Sequence, residues 1–328
     1  MVQKILLTRF SSIGDIIITT PIIRAFSKAY PNAQIHFATK RNYAELVQHN
    51  PHIHHLHLLY NDFDDLVSQL TQHEFDLFID LHKNLRTSLL KRKLKFKKYF
   101  TYKKGNFKKS LLVQLHINTL NAKHNLTRYF EAFSDLGIKD DGMGYDFYFP
   151  KAFSFKGEKA STLPDKYLVF ALGGKQFTKK LPVEQIISVV KSFNMPVVLI
   201  GGNDEKEEAM KISSACQNTL NLVGVLSLIE SAHVIKMANK VVSHDTGMMH
   251  LACALDKSIA SIWGNTVIDF GFAPLHKKHS STNNLIIENN QIGCRPCSRH
   301  GKKKCPKGHF KCMLELDFNP LITWANQL

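Results

Sequence analysis

At 328 residues the chain can hold two domains of ordinary size, and 44% hydrophobic with 21% charged residues excludes an intrinsically disordered protein. No stretch approaches the ~18 apolar residues of a membrane span, and the opening MVQKILLTRFSSIGD reads as a first strand rather than a signal peptide, so a cytoplasmic location is expected. The net charge of +16 is unevenly placed: residues 83–109 carry twelve Lys or Arg and no acid, and Arg295 to Lys311 is also free of acids. Such runs either solvate a face or attract a polyanion, which could be nucleic acid, an anionic membrane or a phosphorylated glycolipid.

Along the first half, KILLTRF (4–10) is a compact apolar run that predicts a strand. The turn Ser11-Ser12-Ile13-Gly14 follows, and a helical pattern runs from Asp15 to about Tyr30. Asp15 suits either an N-terminal capping carboxylate or a group beside a reacting hydroxyl. With one glycine the turn lacks the GxGxxG dinucleotide fingerprint. AQIHFATK, HHLHLLY and FDLFIDL predict further strands with helices between them, hence a parallel sheet covered on both faces. Residues 106–137 predict a long helical segment closed by Gly137. Gly144, Pro150, Gly157 and Pro164 then mark a linker within 138–166.

Alternation resumes with strands YLVFAL (167–172) and VVLIGG (197–202) around the helix PVEQIISVVKSF. Lys175, Lys179 and Lys180 occupy the loop after Gly173-Gly174, where lysines can neutralise a departing phosphate. In LIGGNDEKEEA, acids such as Glu205 can bind ribose hydroxyls or complement a helix dipole. Helices are expected over about 204–216 and 226–238, and the strand KVVSHD (240–245) ends in Asp245. Thr246-Gly247 then open the helix MMHLACAL, whose N–H groups suit a diphosphate or a simple cap, and His250 lies one turn on. SIASIWG is the last clear strand. Two doubly wound halves predict ligand binding at strand carboxyl ends, in a cleft between them.

The order of these segments resembles glycosyltransferase family 9, which contains the ADP-heptose:lipopolysaccharide heptosyltransferases. The resemblance is carried by Gly-Asp after strand one, GGK…TKKLP, LIGGNDEKE and SHDTGMMHLACALDKSIASIWGNT, with DLHKNLRTSLL and HNLTRYFEAFSDLGI as further matches. It implies an α/β GT-B fold, two Rossmann-like doubly wound domains facing a central cleft, at 1–155 (acceptor-binding) and 156–328 (donor-binding). The implied reaction is an inverting, metal-independent transfer of a heptose or similar sugar from a nucleotide sugar, ADP-heptose foremost, to a phosphorylated glycolipid of the lipopolysaccharide core. Asp15 would be the general base. Lys179, Glu205, Asp245, Thr246, Gly247 and His250 would hold the donor, and Ser12, Asn84 and Arg86 would face the acceptor. Leu181 stands where the family usually has an aromatic residue, and Met248 where proline is frequent.

Cys294, Cys297, Cys305 and Cys312 fall within nineteen residues. Four thiolates can close a tetrahedral structural zinc site, or stay reduced without one; catalysis requires no cofactor on this reading. The basic runs fit peripheral contact with the inner membrane. A second reading keeps the fold with another nucleotide-sugar donor and acceptor, and a third is a basic nucleic-acid-binding protein, for which no recognition module is present.

Overall fold

The computed structural model describes residues 2–156 and 161–327. The chain divides into two compact units, Met1–Lys104 with His124–Lys151, and Gly105–Lys123 with Ala152–Leu328. Gly157, one of the expected linker residues, lies outside the described residues.

The first unit is a five-stranded parallel sheet in the order β3-β2-β1-β4-β5, from β1 (Lys4–Thr8), β2 (Gln34–Lys40), β3 (His55–Leu59), β4 (Glu74–Asp80) and β5 (Lys95–Thr101). Central β1 is covered on both faces, so Ile5, Leu6 and Leu7 are fully buried and the strand reads as one apolar run. Helices α3 (Phe63–Thr71) and α4 (Leu85–Lys93) pack Leu66, Leu70 and Leu90 against Ala38, Phe75 and Phe78.

The helix expected from Asp15 to Tyr30 is two helices, α1 (Ile13–Ile17) and α2 (Thr20–Ala29). Pro21 has no N–H for the carbonyl of Ile17. Instead the hydroxyls of Thr19 and Thr20 donate to the carbonyls of Ile16 and Ile17 at 2.6 and 2.8 Å.

The long segment 106–137 is likewise divided, into α5 (Asn106–Leu115), which belongs to the second unit, and α6 (Asn125–Glu131). His116 ends α5 in the left-handed conformation, and Gly137 closes the segment as expected, at φ 70°. Strand β5 was concealed in the polybasic run. It is an edge strand that turns Phe96 and Tyr99 against Phe78 and leaves Lys95, Lys97 and Lys98 exposed, the charge that keeps an open edge from pairing.

The second unit is a six-stranded parallel sheet in the order β11-β10-β9-β6-β7-β8. Its strands are β6 (Leu168–Ala171), β7 (Val197–Ile200), β8 (Thr219–Asn221), β9 (Lys240–His244), β10 (Ile259–Trp263) and β11 (Asn284–Glu288). Helices α7 (Val183–Lys191), α8 (Lys206–Ala215), α9 (Leu228–Met237) and α10 (Gly247–Ala254) alternate with them, and α11 (Lys311–Leu314) and α12 (Asn319–Asn326) follow.

In both sheets the first strand is central and the strand order reverses beside it, between β1 and β4 and between β6 and β9. These switch points are where open parallel sheets bind ligands, outside the strands' carboxyl ends. Two such units in one chain are the GT-B plan. No helix among the described residues is long and apolar enough to cross a membrane.

Candidate active site

In the first unit the chain leaves β1 at Thr8 and places Arg9 and Asp15 on either side of a tight turn. The Arg9 side chain is buried and fully engaged. Its Nε donates to the Ser11 carbonyl at 2.8 Å, Nη1 donates to the Leu81 carbonyl at 2.5 Å and the Tyr129 hydroxyl at 3.1 Å, and Nη2 pairs with Asp15 Oδ1 at 2.6 Å. Asp15 occupies the third position of α1, where its Oδ2 accepts from the Ser12 backbone N–H at 3.2 Å and from the Ser12 hydroxyl at 2.9 Å. Asp15 is therefore a capping carboxylate and an ion-pair partner at once, with 21% of its side chain still open to solvent.

Burial alone would raise the Asp15 carboxyl, but the Arg9 guanidinium and the Ser12 hydrogen bonds outweigh it and hold the pKa below the usual carboxylate value. His82 edges the Phe10 ring at 5.8 Å; burial, with Arg9 and Lys104, pulls its pKa down to about 3. The end of β1 thus carries an ionised carboxylate among a fixed guanidinium, a neutral imidazole and a half-buried lysine.

Of the expected acceptor residues, Ser12 is exposed and bonded to Asp15, as above. Asn84 is the N-cap of α4: its Oδ1 accepts from the Thr87 N–H at 3.0 Å, so its side chain sets the loop rather than projecting freely. Arg86 is exposed in the first turn of that helix, and it lies near enough to His82 to depress that ring further.

In the second unit, residues from the carboxyl ends of three adjacent strands meet. Asp245 follows β9, Lys179 lies in the turn after β6, and Thr266 follows β10. Lys179 Nζ is 2.7 Å from Asp245 Oδ2, and the Thr266 hydroxyl donates to the same oxygen at 2.7 Å. Thr246 is the N-cap of α10 with Gly247 as its first residue, so the helix's unpaired N–H groups emerge beside this pair. Gly174 keeps the lysine loop close, because a Cβ there would sit 2.8 Å from Lys180 Cγ. His250 is buried in α10 with its ring 6.3 Å from that of Phe272.

Glu205 is buried. Its Oε2 accepts from the Gly202 N–H at 3.0 Å, and its Oε1 is 3.7 Å from Lys180 Nζ, which also pairs with Glu208 at 2.7 Å.

Three supporting residues had no distinct sequence signal. His244 Nε2 accepts from the Leu181 N–H at 3.0 Å, and burial pushes its pKa down to about 4, which keeps that lone pair available. Thr178 is tied to the Cys-rich loop: the Lys302 N–H donates to its hydroxyl at 2.8 Å and its own N–H donates to the Lys302 carbonyl at 3.1 Å. Arg295 donates to the carbonyls of Gly264, Asn289 and Thr266 and pairs with Glu288 at 2.8 Å, which fixes the loop bearing Thr266.

The four cysteines of that loop are reduced. Burial first, and the other three sulfurs with it, raise the Cys312 thiol to about 12. Among the described residues, the group whose candidate metal-ligand atoms gather within 4.8 Å is instead His36, His57 and His73 of the first unit.

The model of glycosyltransferase family 9 (heptosyltransferase) matches residues 64–308. Lipopolysaccharide heptosyltransferase 1 of Campylobacter coli is 21% identical over 87% of this chain and 94% of its own length. A solved family 9 glycosyltransferase from Veillonella parvula superposes with a TM-score of 0.75 at 19% identity, covering 98% of this chain and 96% of that one. The solved E. coli ADP-heptose LPS heptosyltransferase II superposes at 0.67 and 19%, covering 98% and 99%.

Proposed function

Because the chain belongs to glycosyltransferase family 9, we propose that it transfers a heptose, with inversion, from ADP-heptose to a phosphorylated glycolipid of the lipopolysaccharide core. One observation supports this reading at the level of residues: Lys179, paired with Asp245, and the amino end of α10 lie together at the switch point of the second sheet, a grouping whose lysine and N–H groups suit a diphosphate. The relatives' names supply the sugar and the acceptor.

The acceptor hydroxyl oxygen forms a bond to the anomeric carbon as the bond from that carbon to the β-phosphate oxygen breaks, and its proton passes to Asp15. Arg9 and Ser12 keep Asp15 ionised and aimed, so an acceptor for that proton is present at neutral pH. The negative charge growing on ADP is met by Lys179 and by the Thr246 and Gly247 N–H groups, which do what a divalent cation does in other transferases. Asp245, locked by Thr266, positions Lys179. Glu205, anchored on Gly202, is assigned to the ribose, His250 to the wall of the donor site, and Ser12, Asn84 and Arg86 to the acceptor side.

The reaction is assigned to the cytoplasmic face of the inner membrane. Lys91, Arg92, Lys93, Lys95, Lys97 and Lys98 lie exposed along the end of α4 and edge strand β5. Lys93, Lys95 and Lys97 are paired with Asp64, Glu74 and Asp76, so the attraction to an anionic surface, roughly 1 kcal/mol for each unpaired cation, falls mainly to Lys91, Arg92 and Lys98. Cys294, Cys297, Cys305 and Cys312 are assigned a structural zinc. The donor set is right, and sulfur crowding at Cys312 is relieved by a cation. A closed cage needs sulfurs about 3.8 Å apart, from Zn–S bonds near 2.3 Å, so the loop must tighten to bind it.

Incubation with ADP-heptose and heptose-deficient lipopolysaccharide tests the transfer directly, with release of ADP and a mass gain of one heptose as the expected result. Stabilisation by GDP or UDP but not ADP would reassign the donor. Salt-sensitive binding to RNA or DNA without stabilisation by any nucleotide would overturn the reading.

A further inference from the structure

The histidine cluster has no part in this chemistry. In the parallel register of β2 and β3, His36 lies opposite His55, and His57 is two residues further along the same face. His73 joins them from the turn between α3 and β4. Ring centroids of His36 lie 5.2 Å from His57 and 4.6 Å from His73. The cluster is toward the amino ends of the strands, whereas Asp15 follows the carboxyl end of β1.

We propose that His36, His57 and His73 form a binding site for a borderline divalent transition-metal ion of the Zn2+, Co2+ or Ni2+ class. Each residue offers one nitrogen, and the three lie within 4.8 Å of one another. His36 is completely buried; its Nδ1 is 2.9 Å from His57 Nε2, while its Nε2 meets no partner. With the ring proton of His57 on Nδ1 and that of His36 on Nε2, the lone pairs of His36 Nδ1 and His57 Nε2 face one another at 2.9 Å, an unfavourable contact that a cation between them would relieve.

Burial keeps the His36 and His57 rings neutral, with pKa values of about 3 and 4, so they compete with no proton at physiological pH. Gln69 of α3 hydrogen-bonds the His57 side chain, the kind of outer contact that orients a ligating ring. An all-imidazole donor set favours zinc, cobalt and nickel over calcium and magnesium, which take oxygen. The fourth position falls to water or to His55, whose ring stacks 4.5 Å from His36. Bound there, the ion would clamp β2, β3 and the start of β4.

The test uses the metal-stripped full chain with Co2+ and Zn2+, beside His73→Gln and a variant with Cys294, Cys297, Cys305 and Cys312 all changed to Ser. His73 is only half-buried, so its substitution should leave the metal-free melting temperature near wild type. Expected is one cobalt per chain that persists in the four-serine variant and shows no thiolate-to-cobalt charge-transfer band. Affinity should fall on the order of a hundredfold when His73→Gln is added to the four-serine variant. Equal affinity with and without His73→Gln in that background, or binding abolished in the folded four-serine variant, would overturn the proposal. Should that variant not fold, X-ray absorption of the zinc-loaded wild-type chain decides: a nitrogen shell near 2.0 Å supports the site, and a sulfur-only shell refutes it.

Discussion

Arg9 Nη2 and Asp15 Oδ1 lie 2.6 Å apart, an ion pair in which the arginine is almost wholly buried and the aspartate keeps one edge open to solvent. The arginine cannot leave, because the Ser11 and Leu81 carbonyls and the Tyr129 hydroxyl hold its other nitrogens. It therefore acts as a fixed charge that selects the ionised form of Asp15 and leaves an oxygen edge available to a ligand.

Asp15→Asn removes the proton acceptor while keeping one carbonyl oxygen that can still accept from Arg9, at the loss of the Ser12 N–H hydrogen bond to the second oxygen. Turnover should fall on the order of a hundredfold to ten-thousandfold, whereas stabilisation by ADP should be unchanged, since the nucleotide is assigned to the second unit. Initial rates beside a thermal-shift titration check both halves. Full activity in Asp15→Asn would take the base out of the mechanism.

Arg9→Met tests the fixed charge. Its loss removes the largest of the causes that together outweigh burial, so the Asp15 pKa must rise. A base is active only when deprotonated, so the acid limb of the kcat/KM profile should move to higher pH. Arg9→Lys, which keeps the charge without the forked donors, should move it less. Matched pH–rate profiles measure the displacement, and an unshifted limb with lower kcat would mean that Arg9 serves only the fold.

Lys179→Met removes a cation whose ordinary partner is Asp245 and whose assigned partner is the diphosphate. Hydrogen bonds to charged groups are worth about 1.5–3 kcal/mol, so ADP affinity should weaken roughly tenfold to a hundredfold. Thr266→Val, which only frees one Asp245 oxygen, should weaken it less. Calorimetric titration with ADP separates the two. If Thr266→Val proves as damaging as Lys179→Met, Asp245 rather than Lys179 is the group that matters.

Much of this was legible in residue order, for a physical reason. Buried parallel strands must be unbroken apolar runs, so KILLTRF and KVVSHD announce their strands, and the small and charged residues of SSIGD and TG mark the turns that follow as candidate ligand sites. Strand β5 was not legible, since an edge strand needs apolar residues on one face only and Lys95, Lys97 and Lys98 hid it. Arg9 looked like the tail of an apolar strand, and its role depends on Leu81 and Tyr129, which are distant in sequence. The tie between Thr178 and Lys302 could not be read at all, because nothing local to either residue encodes it. The histidines of β2 and β3 were visible singly, but their meeting depends on strand register.

The buried histidines also make stability depend on pH, with a definite sign. His36, His57 and His244 have folded-state pKa values of about 3, 4 and 4, depressed by burial from an ordinary value near 6.5. Below about pH 6.5 the unfolded chain takes up protons that the folded chain refuses, so stability conferred by these residues is complete above that pH and is lost as the pH falls toward 4. Each contributes a slope of up to about 1.4 kcal/mol per pH unit in that window. Urea unfolding at pH 7.5, 6.0 and 5.0 should show midpoints that drop between the last two points more than between the first two. Replacing His36 and His57 together by Asn and Gln should flatten the part of the slope that belongs to the first unit, and His244→Asn the part that belongs to the second. A slope unchanged in both variants would place the acid sensitivity in another imidazole such as His82, pulled down to about 3 by burial and by Arg9, because Asp76, held at about 2 against burial by Lys97 and the Gln3 and Lys4 N–H groups, loses its contribution only below about pH 4.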